Sequence, residues 1–193
     1  MKKMIETPEH VRGPEYYDSV FVKDLPWYSC DPEKSHFYSL WKRMLELSKH
    51  RIIDIGCGPG QVAQLAVRMG HEYVCGIDYS LVAVARARER CPELMFLYED
   101  VSYITEIKSH SYDTCFICET LEHLEDDVGF LKKIPAGKHV VASVPMLCCL
   151  GHARYFEGET DVRERYSLLV GIDYMETINK WILFSGHRRG KLL

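Results

Sequence analysis

The segment Cys118-Glu-Thr-Leu-Glu-His123 puts two carboxylates and an imidazole within five positions. Such a set can move a proton, because imidazole changes charge near neutral pH. It can also hold a hard or borderline cation, which would lower the pKa of a bound oxygen. A structural role is open as well, with His123 capping the helix that follows. More acids stand at the ends of apolar runs. Asp78 follows Tyr73-Val-Cys-Gly-Ile77, eighteen residues after Gly60, and Glu99-Asp100 follows Leu94-Met-Phe-Leu97. A carboxylate at a strand end can accept hydrogen bonds from both hydroxyls of a ribose; the competing role for Asp78 is to cap the next helix. Tyr79 beside it offers a ring face to a flat base.

A glycine-rich turn accompanies these acids. Gly56-Cys-Gly-Pro-Gly60 follows the apolar Ile52, Ile53 and Ile55, with Asp54 among them, and a helical pattern starts at Gln61. Strand, glycine loop and helix are the parts that bring backbone N–H groups to a ligand at a helix N-terminus. The expectation is that amides of Gly56, Cys57, Gly58 and Gly60 face that ligand. The spacing is not the dinucleotide fingerprint G-x-G-x-x-G, since Gln61 stands where the third glycine belongs, and no G-K-[ST] follows to make a P-loop.

The elements that position these residues alternate. Strands are expected at Arg51–Ile55, Tyr73–Ile77, Leu94–Leu97, Thr114–Ile117 and His139–Val144. Helices are expected at Gln61–Met69 (ended by Gly70), Ser80–Arg90, Asp126–Lys133 and, with Asp31 as N-cap and Pro32 first, Asp31–Ser48. Near-continuous apolar strands between helices predict a parallel sheet covered on both faces. After a loop at Gly151–Glu159 and a helix at Asp161–Val170 capped by Thr160, Ile172–Ile178 and Trp181–Phe184 read as strands. The two-residue link Asn179-Lys180 forces them into an antiparallel hairpin. The fold class is therefore α/β, a doubly wound, mostly parallel seven-stranded sheet ending in an antiparallel hairpin. Residues 1–193 form one domain, with an N-terminal flap and helix over 1–49 and the core over 50–193. Dehydrogenase domains fit less well, because their sixth strand is parallel.

Asp54-x-Gly-x-Gly-x-Gly60, Asp78, Asp100 and the post-strand Glu119-x-x-Glu122-His123 occur in the order of the motifs of class I S-adenosylmethionine-dependent methyltransferases, and the chain resembles that Rossmann-like family from residue 51 to the hairpin. The resemblance implies S-adenosylmethionine as cofactor and S-adenosylhomocysteine as product. It implies cofactor contacts from Asp54, Gly56, Cys57, Gly58, Gly60, Asp78, Tyr79, Asp100, Val101, Cys118 and Glu119. Asp100 would take the adenine amino group, with Glu99 as the alternative acid. Quinone-biosynthesis and small-RNA O-methyltransferases show a similar Glu-x-x-Glu-His that can hold a divalent cation. By resemblance Glu119, Glu122 and His123 can do so here, although His123 as a metal-free base is the preferred reading. The Asn/Asp-Pro-Pro-aromatic segment of nucleic-acid amino methyltransferases is missing, so a small-molecule acceptor is expected. A relative that binds the cofactor without transferring methyl is the alternative, and a nicotinamide oxidoreductase a third.

His152, Arg154 and Tyr155 leave the strand ending near Val144 at the ligand edge and are candidates to line the acceptor pocket; Tyr155 and Phe156 can equally seal the hairpin. The aromatic Tyr16, Tyr17, Phe21, Trp27 and Tyr28 either cover the core or close over a ligand. The remaining features bound the class. A net charge of −4 argues against broad nucleic-acid binding, and the basic His187–Lys191 is read as solvated. No apolar run reaches a membrane span, and Met1–Glu6 lacks the apolar stretch of a secretory signal. Period-2 alternation puts Cys115 and Cys118 on opposite faces, so their C-x-x-C holds no metal or disulfide. Reduced, buried cysteines are expected, with Cys148 and Cys149 packed, in a cytoplasmic chain.

Overall fold

The computed structural model describes residues 5–7, 10–23, 25–104, 107 and 111–190. In chain order the strands are β1 (Ile5–Glu6), β2 (Arg51–Ile55), β3 (Glu72–Asp78), β4 (Phe96–Tyr98), β5 (Thr114–Cys118), β6 (His139–Pro145), β7 (Arg154–Tyr155), β8 (Val170–Ile178) and β9 (Trp181–Arg188). Seven of them make one sheet in the order β4-β3-β2-β5-β6-β9-β8. The pairs from β4 to β6 are parallel, and β6–β9 and β8–β9 are antiparallel. The chain winds outward from β2 through β3 to β4, then restarts at β5 on the other side. The crevice of such a sheet lies outside the strand ends at that reversal. The hairpin follows from its link: Asn179 takes φ 54°, a left-handed conformation that Asn tolerates in a two-residue turn.

Alternation along the strands divides the core. Ile52, Phe116, Val141 and Leu183 face α3 (Tyr38–Leu47), α4 (Gln61–Arg68) and α5 (Leu81–Arg90). Ile53, Ile55, Cys115, Ile117, Val140 and Ala142 face the other side, with Phe130 of α6 (Asp127–Lys133) and Tyr166 of α7 (Glu159–Tyr166). Cys115 and Cys118 thus belong to opposite faces, as the alternation requires. The C-terminal ends of β2, β3, β5 and β6 carry Asp54, Asp78, Cys118 and Ser143 to one edge.

Several expected elements come out differently. Two helices, α1 (Pro14–Val22) and α2 (Pro26–Ser29), occupy the N-terminal stretch where no periodicity showed. The expected helix from Asp31 is broken. Asp31 caps only a 3-10 turn, Pro32–Lys34, by accepting from Glu33 N. Ser35 is then extended, and its hydroxyl accepts from Phe37 N, so α3 starts at Tyr38. Helix α7 runs Glu159–Tyr166 instead of Asp161–Val170. Asp161 lies in its first turn and accepts from Glu157 N, while Gly158, not Thr160, is the N-cap. Strand β4 sits one or two residues later than expected, and β9 extends to Arg188. Within the expected loop 151–159, β7 pairs with β1. All eight cysteines are free, but Cys148 and Cys149 are exposed, against the expectation that they pack. In the basic tail, Arg188 donates to the Leu131 carbonyl and so is anchored; Lys191 and Met1–Met4 lie outside the described residues.

Candidate active site

A cavity of about 1250 Å³ opens at the strand-end edge. That exceeds the several hundred Å³ typical of one small-ligand site, so it has room for two reactants. Of the residues expected at the cofactor or as the base, all but Gly60 line it: Asp54, Gly56, Cys57, Gly58, Asp78, Tyr79, Asp100, Val101, Cys118, Glu119 and His123.

The glycine loop is shaped by its neighbours. Gly56, Gly58 and Gly60 have φ of 73°, 52° and 79°. At Gly56 space is as decisive as conformation, because a Cβ there would stand 2.2 Å from Thr120 Oγ1. The expected cradle of loop amides is not what this loop builds. Gly56 N and Cys57 N both donate to Ile77 O, at 2.8 and 3.1 Å. Gly58 N donates to Asp78 Oδ2 at 2.9 Å, and Gly60 N to Cys57 O at 3.2 Å. Pro59 has no N–H to offer. The loop spends its donors on its own shape and on β3. What it offers a ligand is close approach, with the opening turn of α4 just beyond it.

Asp78 holds that junction. Its second oxygen accepts from Ser80 N at 2.8 Å, and Ser80 caps α5 by accepting from Ala83 N at 3.1 Å. Ser80, not Asp78, is therefore the cap, and Asp78 supports it while lining the cavity. Burial pushes Asp78 up to about 6, against the pull of the Ser80 and Gly58 amides. Asp54 is more deeply set. Tyr73 donates its hydroxyl to Asp54 Oδ2 at 2.9 Å, and burial pushes this acid up to about 7, with Asp78 adding to the shift. Asp100 accepts from Ser102 N, and Tyr79 donates to the Arg12 carbonyl.

Across the cavity stands the turn after β5. Glu119 takes φ 51°, and Ser143 bonds it twice, accepting from its N–H at 3.2 Å and donating to Oε1 at 2.9 Å. Burial pushes Glu119 up to about 8, with Ser143 and the Trp181 indole pulling the other way. Arg154 underpins this turn. It donates to the carbonyls of Leu121, Leu124 and Glu125 at 2.6–2.8 Å, and lies 3.3 Å from Asp127. The expectation that Arg154 lines the acceptor pocket therefore fails, and Tyr155 is not in the cavity wall either; His152 is. Phe156 is fully buried in the core.

The braced turn aims Glu122 and His123 at the cavity. His123 is not a helix cap, because Asp126 caps α6. Its Nδ1 lies 2.9 Å from the Gly151 carbonyl and 2.8 Å from the Tyr17 hydroxyl. A carbonyl only accepts, so Nδ1 carries the proton and Nε2 keeps its lone pair. Nε2 lies 3.6 Å from Glu122 Oε1, too far for a hydrogen bond. Burial lowers His123 to about 4 and raises Glu122 well above the ordinary carboxylate range. Neither Glu122 oxygen has a hydrogen-bond partner among the described residues, though the side chain is fully buried. Donor atoms of Glu122, His123 and His152 lie within 4.8 Å of one another. The convergent set is thus Glu122, His123 and His152, and Glu119, expected in it, turns to Ser143 instead.

No sequence signal points to Tyr17 on His123 or to Tyr73 on Asp54. Ser143 was within reach, since a parallel β5–β6 pair sets it opposite Cys118.

Comparison with known proteins bears on the fold and the domain. The family model described as a methyltransferase domain matches residues 53–135. A ubiquinone biosynthesis O-methyltransferase of Vibrio cholerae is 32% identical over 101 residues, covering 48% of this chain and 41% of the relative. The chain's match thus spans less than half the length of that curated relative. Among solved structures, the magnesium protoporphyrin IX methyltransferase of Synechocystis, crystallised with S-adenosylmethionine, superposes with a TM-score of 0.66 at 15% identity, over 91% of this chain and 94% of its own. The [4+2]-cyclase SpnF superposes with a TM-score of 0.73 at 12% identity, over 99% and 100%. Likenesses at that identity establish the fold, and one fold hosts more than one reaction. Residues 53–135 thus match the methyltransferase-domain family, and the sheet order is that of the S-adenosylmethionine-dependent methyltransferase fold, the family that the motif order resembles.

Proposed function

We propose that the protein transfers a methyl group from S-adenosylmethionine to a small-molecule acceptor by in-line displacement, with His123 as the base. The observation that carries this reading is the facing of two groups across one cavity: Asp78 beside the glycine loop on one wall, and the bare Nε2 of His123 on the other. On this reading Asp78, Tyr79, Asp100 and Val101 would take the adenosine and Asp54, Gly56, Gly58 and Glu119 would stand toward the sulfonium; all eight line the cavity. Gly60 supports the loop from behind, where a Cβ would meet Ala87 of α5 at 3.0–3.1 Å.

The donor methyl is already activated, so the protein's task is to position two reactants and exclude water. His123 is neutral at pH 7, and an acceptor hydroxyl at Nε2 would give up its proton there as the methyl is transferred. The imidazolium so formed has Glu122 beside it. Free cysteines throughout fit a reducing compartment such as the cytoplasm; among the described residues no helix is long and apolar enough to cross a membrane.

Calorimetry with S-adenosylhomocysteine against NAD tests the cofactor. Transfer of label from methyl-labelled donor into a panel of small hydroxyl and amine compounds tests the reaction. Tight binding without transfer to any acceptor would favour a non-catalytic cofactor-binding protein, and NAD binding would end the reading.

One observation supports a metal-assisted version. An unpartnered buried carboxylate beside two histidines suits a divalent cation, and Glu122, His123 and His152 would hold it. Bound there, the ion would lower the pKa of an acceptor oxygen. Activity that survives exhaustive chelation would remove this version and leave His123 as a metal-free base.

A further inference from the structure

Helix α1 hangs between two anchors. Before it, β1 pairs with β7, Thr7 donates to the carbonyls of Ala153 and His152, and the His10 carbonyl accepts from Gly151 N. After it, Arg90 donates to the carbonyls of Tyr28, Ser29 and Cys30, Gln61 donates to Cys30, and Arg68 pairs with Asp31. Between the anchors α1 crosses the cavity. Tyr17, Val20 and Phe21, at i, i+3 and i+4, line it, and the Phe21 ring lies 3.9 Å from where a Cβ on Gly58 would stand. Nine residues with Phe21 as the one buried side chain do not make a helix that is stable by itself. Its docking decides where it lies.

Two adjacent side chains dock it. Asp18 Oδ1 accepts from Ser80 Oγ at 2.6 Å and from Val82 N at 3.1 Å, at the positive end of α5. Tyr17 reaches His123 and the Gly151 carbonyl. Gly151 makes that contact fit: its φ is 97°, and a Cβ there would stand 2.6 Å from the Tyr17 hydroxyl.

We propose that α1 is a lid over the cofactor cavity, latched shut by Asp18 on the N-terminus of α5, and that closure brings Tyr17 onto His123. This rests on the cofactor reading above. Ser80 is shared between the latch and Asp78, so the group assigned to the ribose and the lid's fastening lie on one residue. A ligand lying against the glycine loop beneath α1 would enter and leave by release of these bonds.

Stopped-flow association and dissociation of S-adenosylhomocysteine tests this on the wild type, Asp18→Ala, Asp18→Asn and Tyr17→Phe, with melting curves to show that each is folded. Asp18→Ala should speed dissociation about tenfold, the loss expected for hydrogen bonds to a charged acceptor. Asp18→Asn keeps an oxygen in place and should restore most of the wild-type rate. Tyr17→Phe should act in the same direction by less. Equal rates in all four folded proteins would overturn the lid. If the wild type binds no S-adenosylhomocysteine, the cofactor reading fails instead. Hydrogen exchange then still tests the latch: α1 amides should exchange faster in Asp18→Ala than in the wild type, and unchanged exchange would overturn it.

Discussion

The two walls of the cavity are built on opposite principles. On the glycine-loop wall the polar groups are paired. The loop amides go to Ile77, Asp78 and Cys57, Asp54 receives Tyr73, and Asp78 receives two amides. On the facing wall, Glu122 is fully buried with neither oxygen hydrogen-bonded among the described residues, and His123 Nε2 has Glu122 beside it at 3.6 Å, beyond hydrogen-bond reach. A buried polar atom left unpaired costs about 1–3 kcal/mol. The first wall is a preformed mould; the second leaves polar atoms without a partner among the described residues, the arrangement that the proposed base would require.

That contrast is broken or sharpened by substitutions on either wall. The largest effect belongs to His123. His123→Ala should lower turnover by about 10²–10⁴-fold while calorimetry finds S-adenosylhomocysteine affinity nearly unchanged. Equal losses in both would make His123 part of the mould. Next is Asp78→Ala, which should weaken cofactor binding by about 2 kcal/mol through lost charge-assisted hydrogen bonds. The sign with pH follows from its raised value of about 6. Binding that needs the carboxylate ionised should tighten as pH rises through 6, and Asp78→Asn should flatten the profile.

Glu122→Gln tests the unpaired wall through stability. With its pKa raised in the folded state, Glu122 holds its proton to higher pH there than in the unfolded chain. The folded state binds more protons, so stability falls as pH rises above the ordinary carboxylate range. Glu122→Gln should raise the melting temperature more at pH 8 than at pH 5. No pH dependence in that difference would mean Glu122 has a partner. The smallest effect belongs to the paired wall: Tyr73→Phe removes one bond to buried Asp54 and should cost about 1–2 kcal/mol by denaturant unfolding.

Much of the architecture was legible from residues 51–188, because apolar alternation and the Asn179-Lys180 link act locally. The glycine-loop wall was legible as a set of residues, since its members follow successive strands. Its bonding was not. That the amides of residues 56–58 point to Ile77 and Asp78 depends on β3 lying beside β2, which spacing does not encode. Arg154 misled for a related reason. Its place after β6 suggested the pocket, but three carbonyls of the turn ahead of α6 claim its guanidinium. The contact of Tyr17 with His123 joins residues 106 positions apart and has no sequence signature.

The most direct measurement is a crystal structure with S-adenosylhomocysteine. Both ribose hydroxyls should lie on the Asp78 carboxylate at about 2.6–3.0 Å, with the sulfur directed toward the wall carrying Glu119 and His123. An adenosyl group bound elsewhere, or a cavity that stays closed at saturating ligand, would contradict this placement.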